Sequence, residues 1–80
     1  MDERKFETQQ VLRVNGPLML PLWKVLGDDN VLTTRGEILG QGELLVLVEK
    51  IEDTNVWRVL TRFGTRFVLR VTLKKTTAEV

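Results

Sequence analysis

The chain lacks four residue types that carry much of protein chemistry: cysteine, histidine, serine and tyrosine. Without cysteine there are no disulfides and no thiolate metal ligands, and without histidine there is no imidazole base or ligand. The absence of serine and cysteine also removes the most common nucleophiles of covalent catalysis. An enzyme would have to use carboxylates, lysine or threonine alone. We therefore expect a protein that is not an enzyme and that holds no metal or other cofactor.

The chain also lacks a long apolar segment. Its longest unbroken apolar run is residues 44–48, whereas a membrane-spanning helix needs about 20 residues. The charged N-terminus leads into no apolar stretch, so it does not have the pattern of a signal peptide. Because small secreted domains usually depend on disulfides, we expect a soluble cytoplasmic protein with no membrane contact.

Linkers, repeats and low-complexity segments are absent as well. The 80 residues, of which 42% are hydrophobic, suffice for one domain with a small core. We expect a single domain over residues 1–80, with frayed ends at residues 1–7 and 76–80. The net charge of +1 conceals an asymmetry, because residues 56–80 hold six basic residues and one acidic residue.

The basic C-terminal third predicts a β-hairpin. Residues 66–74 alternate apolar and polar side chains with the period of a strand. Residues 57–61 form a second β-rich segment, and the tight link between the two is Arg62-Phe63-Gly64.

Two registers of this hairpin are open. A two-residue loop at residues 63–64 would place Trp57 on the same face as Arg66, whereas a three-residue loop pairs Thr61 with Thr65. Burial of apolar surface favours the three-residue loop. In that register one face of the hairpin collects the apolar side chains Trp57, Val59, Phe67, Leu69, Val71 and Leu73.

Further extended segments precede the hairpin. Residues 43–49 are apolar on both faces, which predicts a central strand. Residues 8–14 predict a first strand, and shorter extended pieces flank Gly36. Turn-forming residues separate these segments at 27–30, 40–42 and 52–55.

From Gly42 onward the order of signals resembles that of the SH3-like barrel family. A Gly-acid start leads into an apolar strand, a polar loop follows, then a Trp-bearing strand, a glycine-containing hairpin and another strand, over residues 42–71. Together with the strand pattern, the resemblance implies an all-β fold: a small SH3-like barrel or a compact sandwich of five or six short antiparallel strands. Proline-binding members line their groove with tyrosines and a first tryptophan, and here Val56 stands at that tryptophan position, so a polyproline-binding role is not implied.

The outward face of the predicted hairpin is the candidate partner-binding site. Four arginines share that face, with Leu60 and Val68 between them: Arg58, Arg62, Arg66 and Arg70. Arginine binds carboxylates and phosphates in a bidentate manner, and a mixture of arginine with apolar residues is typical of interaction surfaces. The same pattern also occurs on faces that are only solvated. The alternatives are therefore a solvated face, a protein partner and, through the phosphates, a nucleic acid.

A second candidate surface is the apolar segment 18–26. Pro21 excludes a central strand here and leaves an edge strand or an extended loop. Both faces of the segment are apolar, and one domain core needs only one of them. The segment is either a buried crossing strand or a subunit contact, and we predict a homodimer with Leu22 and Trp23 at or near the contact.

These patterns predict a non-catalytic binding or assembly module that contacts a protein partner or itself. The alternative function is a small nucleic-acid-binding barrel that uses the Arg-rich C-terminal hairpin.

Overall fold

The structure is a computed structural model that describes residues 5–80. This part of the chain forms seven strands and one short helix, and the strands pair in the antiparallel manner. In chain order the elements are β1 (Val11–Val14), β2 (Leu20–Leu26), β3 (Leu32–Leu39), β4 (Leu44–Lys50), β5 (Val56–Thr61), β6 (Gly64–Leu69), α1 (Arg70–Thr76) and β7 (Thr77–Glu79). The predicted all-β class is confirmed, although the strands number seven rather than five or six.

All seven strands belong to one sheet, in the order β3-β2-β6-β5-β4-β1-β7. The central position predicted for residues 43–49 is confirmed, because β4 pairs with β1 on one side and with β5 on the other. Strands β3 and β7 form the two edges, and within residues 5–80 they do not pair with each other. The sheet is therefore open rather than closed into a barrel.

One hydrophobic core lies against this sheet. Buried side chains from six strands and the helix form a single cluster, so the sheet must curl around it. We call the side of the sheet that faces the cluster the inner face, and the opposite side the outer face. The cluster consists of Leu12, Val14, Leu20, Leu22, Leu39, Leu45, Leu47, Trp57, Val59, Val68 and Leu73.

The register of the β5–β6 hairpin differs from both registers considered from the sequence. Thr61 pairs with Gly64, which leaves a two-residue turn at Arg62 and Phe63. The Thr61 hydroxyl closes this turn, because it donates to the Gly64 carbonyl at 3.0 Å and accepts from the Phe63 N–H at 3.1 Å. Gly64 adopts φ +103°, a conformation that side-chain-bearing residues rarely take. The loop therefore begins at Arg62, as in the favoured prediction, but it is one residue shorter, because Gly64 belongs to β6.

This register changes which face each β6 side chain occupies. Val68, predicted to face outward, is fully buried opposite Trp57. Phe67, predicted to lie in the core, is opposite Arg58 on the outer face. A shift of one residue between paired strands moves each side chain of the shifted strand to the other face.

The long strand predicted over residues 66–74 is also corrected, because β6 ends at Leu69 and a helix follows. Leu73 and Thr76, three residues apart, are buried, while Val71 is 52% exposed. This spacing places one helical face against the core. The Thr76 hydroxyl donates to the Thr72 carbonyl at 2.7 Å, a contact that joins successive turns of the helix.

The C-terminal residues were expected to fray from Thr76 onward, but Thr76 ends the helix and residues 77–79 are part of the sheet. Strand β7 pairs with β1 through Leu12↔Glu79, Arg13↔Ala78 and Val14↔Thr77. Thr77 is buried, and its hydroxyl donates to the Leu73 carbonyl at 2.6 Å. Residues 1–4 of the expected N-terminal fraying lie outside the described residues.

Strand β2 is not an edge strand, although Pro21 was expected to prevent a central position. It lies between β3 and β6, and its pairing with β6 is at Trp23↔Phe67, two residues beyond the proline. The missing N–H of Pro21 therefore does not interrupt that pairing. A register shift between Pro21 and Trp23 marks a bulge in the pairing with β3, where Gly36 lies.

The predicted turns at residues 27–30, 40–42 and 52–55 are confirmed. Over residues 5–80 no helix has the length and apolarity needed to cross a membrane.

Candidate interaction surface

The four arginines of the predicted basic face do not share one face. Arg58 is on the outer face of β5, opposite Phe67. Arg62 is in the turn, Arg66 is on the side of β6 that carries buried Val68, and Arg70 begins the helix. The hairpin register and the helix separate residues that an uninterrupted pair of strands would have aligned.

Within residues 5–80, three of these arginines form ion pairs with carboxylates of other chain segments. Arg58 contacts Glu49 of β4 at 2.6 Å, with side chains 41% and 53% exposed. Arg62 contacts Glu43, which immediately precedes β4, and Arg66 contacts Glu37 of β3 at 2.9 Å. The basic character of the sequence is thus locally compensated at each of these positions.

The pair of Arg66 and Glu37 is the most sheltered of the three, with side chains 17% and 31% exposed. Arg66 Nε donates to Glu37 Oε1 at 2.9 Å, and a terminal nitrogen donates to Oε2 at 3.1 Å. The hydrogen bond from Arg66 holds the pKa of the Glu37 carboxyl at about 2, below its ordinary value of 4.5. Gly36 lies beside this pair, and a Cβ at this position would be in ordinary van der Waals contact with Arg66 Nε at 3.5 Å.

Glu43 links the turn before β4 to the tip of the β5–β6 hairpin. The Gly40 N–H donates to its Oε2 at 2.8 Å, and Arg62 Nε donates to Oε1. These hydrogen bonds, first from Gly40 and then from Arg62, lower the pKa of the Glu43 carboxyl. Arg62 therefore has a structural partner at the hairpin tip.

Aromatic rings accompany three of the four arginines: Phe67 lies beside Arg58, Phe63 beside Arg62 and Phe6 beside Arg70. The Arg62 guanidinium lies 4.2 Å from the centroid of the Phe63 ring, and Phe63 packs against the core. The Arg70 guanidinium lies 5.6 Å from the centroid of the Phe6 ring. Phe63, which as a hairpin-tip residue could have offered a ring for stacking on a base, is instead partly buried.

Leu22 and Trp23, the predicted dimer contact, point to opposite faces of β2. Leu22 is fully buried in the core, so it cannot contact a second subunit in the folded protein. Trp23 is half-buried on the outer face, between Phe67 of β6 and Arg35 of β3. The Arg35 guanidinium lies 5.1 Å from the centroid of the Trp23 ring, the geometry of a cation–π interaction.

A row of paired residues runs across the outer face at this level. It begins with Glu49 and Arg58, continues through Phe67 and Trp23, and ends with Arg35. The Arg58 guanidinium lies 5.8 Å from the centroid of the Phe67 ring. This row covers the outer face of β6 and β2 with two adjacent aromatic rings, which charged side chains flank on both sides.

Beside this row, the outer face of β1, β4 and β5 is aliphatic. Val11 pairs with Val46, and Val46 pairs with Leu60. Val46 is half-buried. The exposed fraction is between 38% and 50% for Val11 and Leu60 and for two further residues of β4, Leu44 and Val48. We call this group the outer patch; it consists of Val11, Leu44, Val46, Val48 and Leu60.

The outer patch was not identified as a site from the sequence, although two signals for it were present. Residues 43–49 were recognised as apolar on both faces, and Leu60 was placed on the outward side of the hairpin. Both placements hold in the structure. The pairing of β1 with β4 was not predicted from the sequence, and this pairing adds Val11 to the same surface.

Over residues 5–80 no group of three or more acidic side chains is positioned to hold a metal ion. Asp28 and Asp29 lie in a turn, where Asp29 Oδ1 accepts from the Val31 N–H at 3.3 Å.

No protein-family model, curated protein or solved structure matches this chain.

Proposed function

We propose that this protein is a non-catalytic binding module whose contact surface is the outer patch. The observation that carries the proposal is a contiguous group of five aliphatic side chains on three adjacent strands, four of them exposed and Val46 half-buried. An antiparallel sheet that faces water on one side normally presents polar residues there. Contiguous exposed apolar surface on a small protein is typical of protein contact sites.

The surroundings of the outer patch support a protein partner. Arg13 borders it beside Leu44, and the pair of Glu49 and Arg58 borders it on the other side. An apolar centre with a charged rim is the usual anatomy of a protein–protein interface. Hydrophobic burial at such a centre contributes roughly 25 cal/mol for each Å² removed from water.

The arginines favour a protein over a nucleic acid as the partner. Arg58, Arg62 and Arg66 each contact a carboxylate already, so a phosphate would have to compete with that carboxylate. Nucleic-acid binding depends on cations that are available to neutralise phosphates. The Arg-rich hairpin is thus better suited to holding the sheet together than to tracking a nucleic-acid backbone.

We further propose an SH3-like family relationship and a cytoplasmic location. The family proposal is supported by the order of elements from Gly42 onward: β4, a polar loop, β5 with Trp57, a hairpin with Gly64, and β6. The location is supported by the absence of cysteine, since small secreted domains usually depend on disulfides.

Site-specific photo-cross-linking tests the proposed contact surface. A photoreactive amino acid is placed at position 60 in the outer patch, and in a matched control at position 71 on the helix, in the cells from which the gene comes. Leu60 and Val71 are 49% and 52% exposed, so the two probes are equally accessible. We expect protein cross-links from position 60 that are missing from position 71. Equal labelling from both positions, or cross-links from position 60 to nucleic acid, would overturn the proposal.

A further inference from the structure

We propose that the outer patch binds a second copy of this chain, with the two sheets packed face to face. This inference rests on the proposed function and names the partner. It replaces the dimer contact expected from the sequence at Leu22 and Trp23, because Leu22 is fully buried in the core.

The aliphatic part of the outer patch is centred on one cross-strand row. Val11, Val46 and Leu60 lie side by side on β1, β4 and β5. Leu44 and Val48 extend the patch along β4 in the two directions from Val46. A patch with a central row and similar side chains at both ends can pack against a rotated copy of itself.

Opposite charges stand at the two ends of this patch. Arg13 pairs with Leu44 at one end, while Glu49 follows Val48 at the other, where its 53% exposed side chain also contacts Arg58 of the same copy. Glu49 is five positions after Leu44 on β4, which corresponds to about 16 Å at roughly 3.3 Å per residue. The two side chains are therefore too far apart to pair within one copy. Over residues 5–80, Arg13 has no carboxylate partner.

A two-fold axis joins these complementary ends. When the axis lies between the two sheets, near Val46 and perpendicular to β4, the two β4 strands run in opposite directions. Val46 and Leu60 of one copy then face the same two residues of the other copy. The two sheets lie about 10 Å apart, the spacing that is typical of packed sheets. In the same arrangement Arg13 of one copy faces Glu49 of the other, and both ends of the interface gain an opposite-charge contact.

Light scattering on a sizing column measures the association of the purified full chain. At about 100 μM, a concentration well above a micromolar dissociation constant, we expect a dimer of about twice the 9.2 kDa chain mass. Leu60→Asp should give a monomer, since it places a charge on the two-fold row. Val71→Asp, the matched control at an exposed position on the helix, should leave the dimer intact.

Charge reversal tests the orientation of the two copies. Arg13→Glu or Glu49→Arg alone places like charges at both ends of a homodimer, and each should weaken association at least about tenfold. An equimolar mixture of the two variants should restore the dimer, because in the mixed pair each end again carries opposite charges. A mixture as weak as either variant alone would overturn the proposed orientation.

The two proposals fail in different ways. A monomeric wild-type chain whose position 60 cross-links a different host protein overturns self-association and leaves the binding function standing. A dimer that survives Leu60→Asp overturns the assignment of the contact to the outer patch. Self-cross-links from position 60, together with rescue in the mixture, support both proposals.

Discussion

Arg66 and Glu37 join two strands that are not neighbours in the sheet. Arg66 belongs to β6 and Glu37 to β3, and β2 lies between them. Two hydrogen bonds of 2.9 and 3.1 Å make the pair bidentate, the strongest geometry for an arginine–carboxylate contact. The carboxylate compensates the charge of an arginine on the same side of β6 as buried Val68. Arg66 is therefore part of the sheet's structure rather than of a basic binding face.

Removing Glu37 should change how stability depends on pH. The pKa of Glu37 is about 2 in the folded protein and 4.5 ordinarily. Because the folded pKa is the lower one, ionisation of Glu37 stabilises the fold above about pH 4.5, and this contribution is lost as the pH falls toward 2. Urea unfolding should thus show the wild type more stable than Glu37→Gln at pH 6, with the difference vanishing near pH 2. A pH-independent difference would contradict this assignment.

Leu73 and Val71 of helix α1 differ in burial, so substitutions at the two positions should differ in their effect on stability. Leu73 is fully buried and Val71 is 52% exposed. Leu73→Ala should therefore reduce the free energy of unfolding by about 2–5 kcal/mol, and Val71→Ala by no more than about 0.5 kcal/mol. Chemical denaturation followed by tryptophan fluorescence measures both. Similar losses for the two variants would instead favour a continuous strand, in which both side chains face the core.

The hairpin turn makes Gly64 sensitive to substitution. Its φ of +103° is unfavourable for a residue with a Cβ, although no nearby atom would clash. Gly64→Ala should cost about 1–3 kcal/mol of unfolding free energy, as a strained backbone conformation does. Gly40→Ala is the matched control, because Gly40 has an ordinary φ and its Cβ would meet its nearest neighbour at 3.9 Å. Equal effects of the two substitutions on the thermal midpoint would contradict the turn geometry.

Leu22 and Leu60 distinguish the core from the outer patch. A charge at Leu22 enters a fully buried position, so Leu22→Glu should unfold the protein. A charge at Leu60 meets solvent in the monomer, so Leu60→Asp should keep the β-sheet signal in circular dichroism. A folded Leu22→Glu variant would mean that β2 does not supply the core side chains assigned to it.

Local patterns in the sequence identified most of the strands and turns correctly. The apolar side chains on both faces of residues 43–49 predict the central strand β4, and the clusters of glycine and acidic residues predict the turns before and after it. Both faces of residues 18–26 were recognised as apolar, with only one needed for the core, and the structure buries Leu20 and Leu22 while Met19 and Val25 are exposed. Each of these features depends on residues close together in the chain.

The candidate site was less predictable, because it depends on strand order. The arginines at 58, 62, 66 and 70 recur with even spacing, which aligns them only if both strands continue without interruption. The helix that starts at Arg70 ends that continuity. The outer patch, in contrast, combines β1 with β4 and β5, and no local signal states that residues 11 and 46 are paired.

By itself, the sequence determined the all-β class, the positions of the turns and the alternation of faces within each strand, because short-range sterics and turn chemistry control them. Only the tertiary structure decided the hairpin register, the face of the sheet on which Arg66 lies and its contact with Glu37. In a local comparison an arginine on the same face as Trp57 is costly, so apolar burial favoured a different register. That cost is offset by Glu37, which lies 29 residues earlier in the chain. Glu37 lies near Arg66 because β2 pairs with β3 on one side and with β6 on the other.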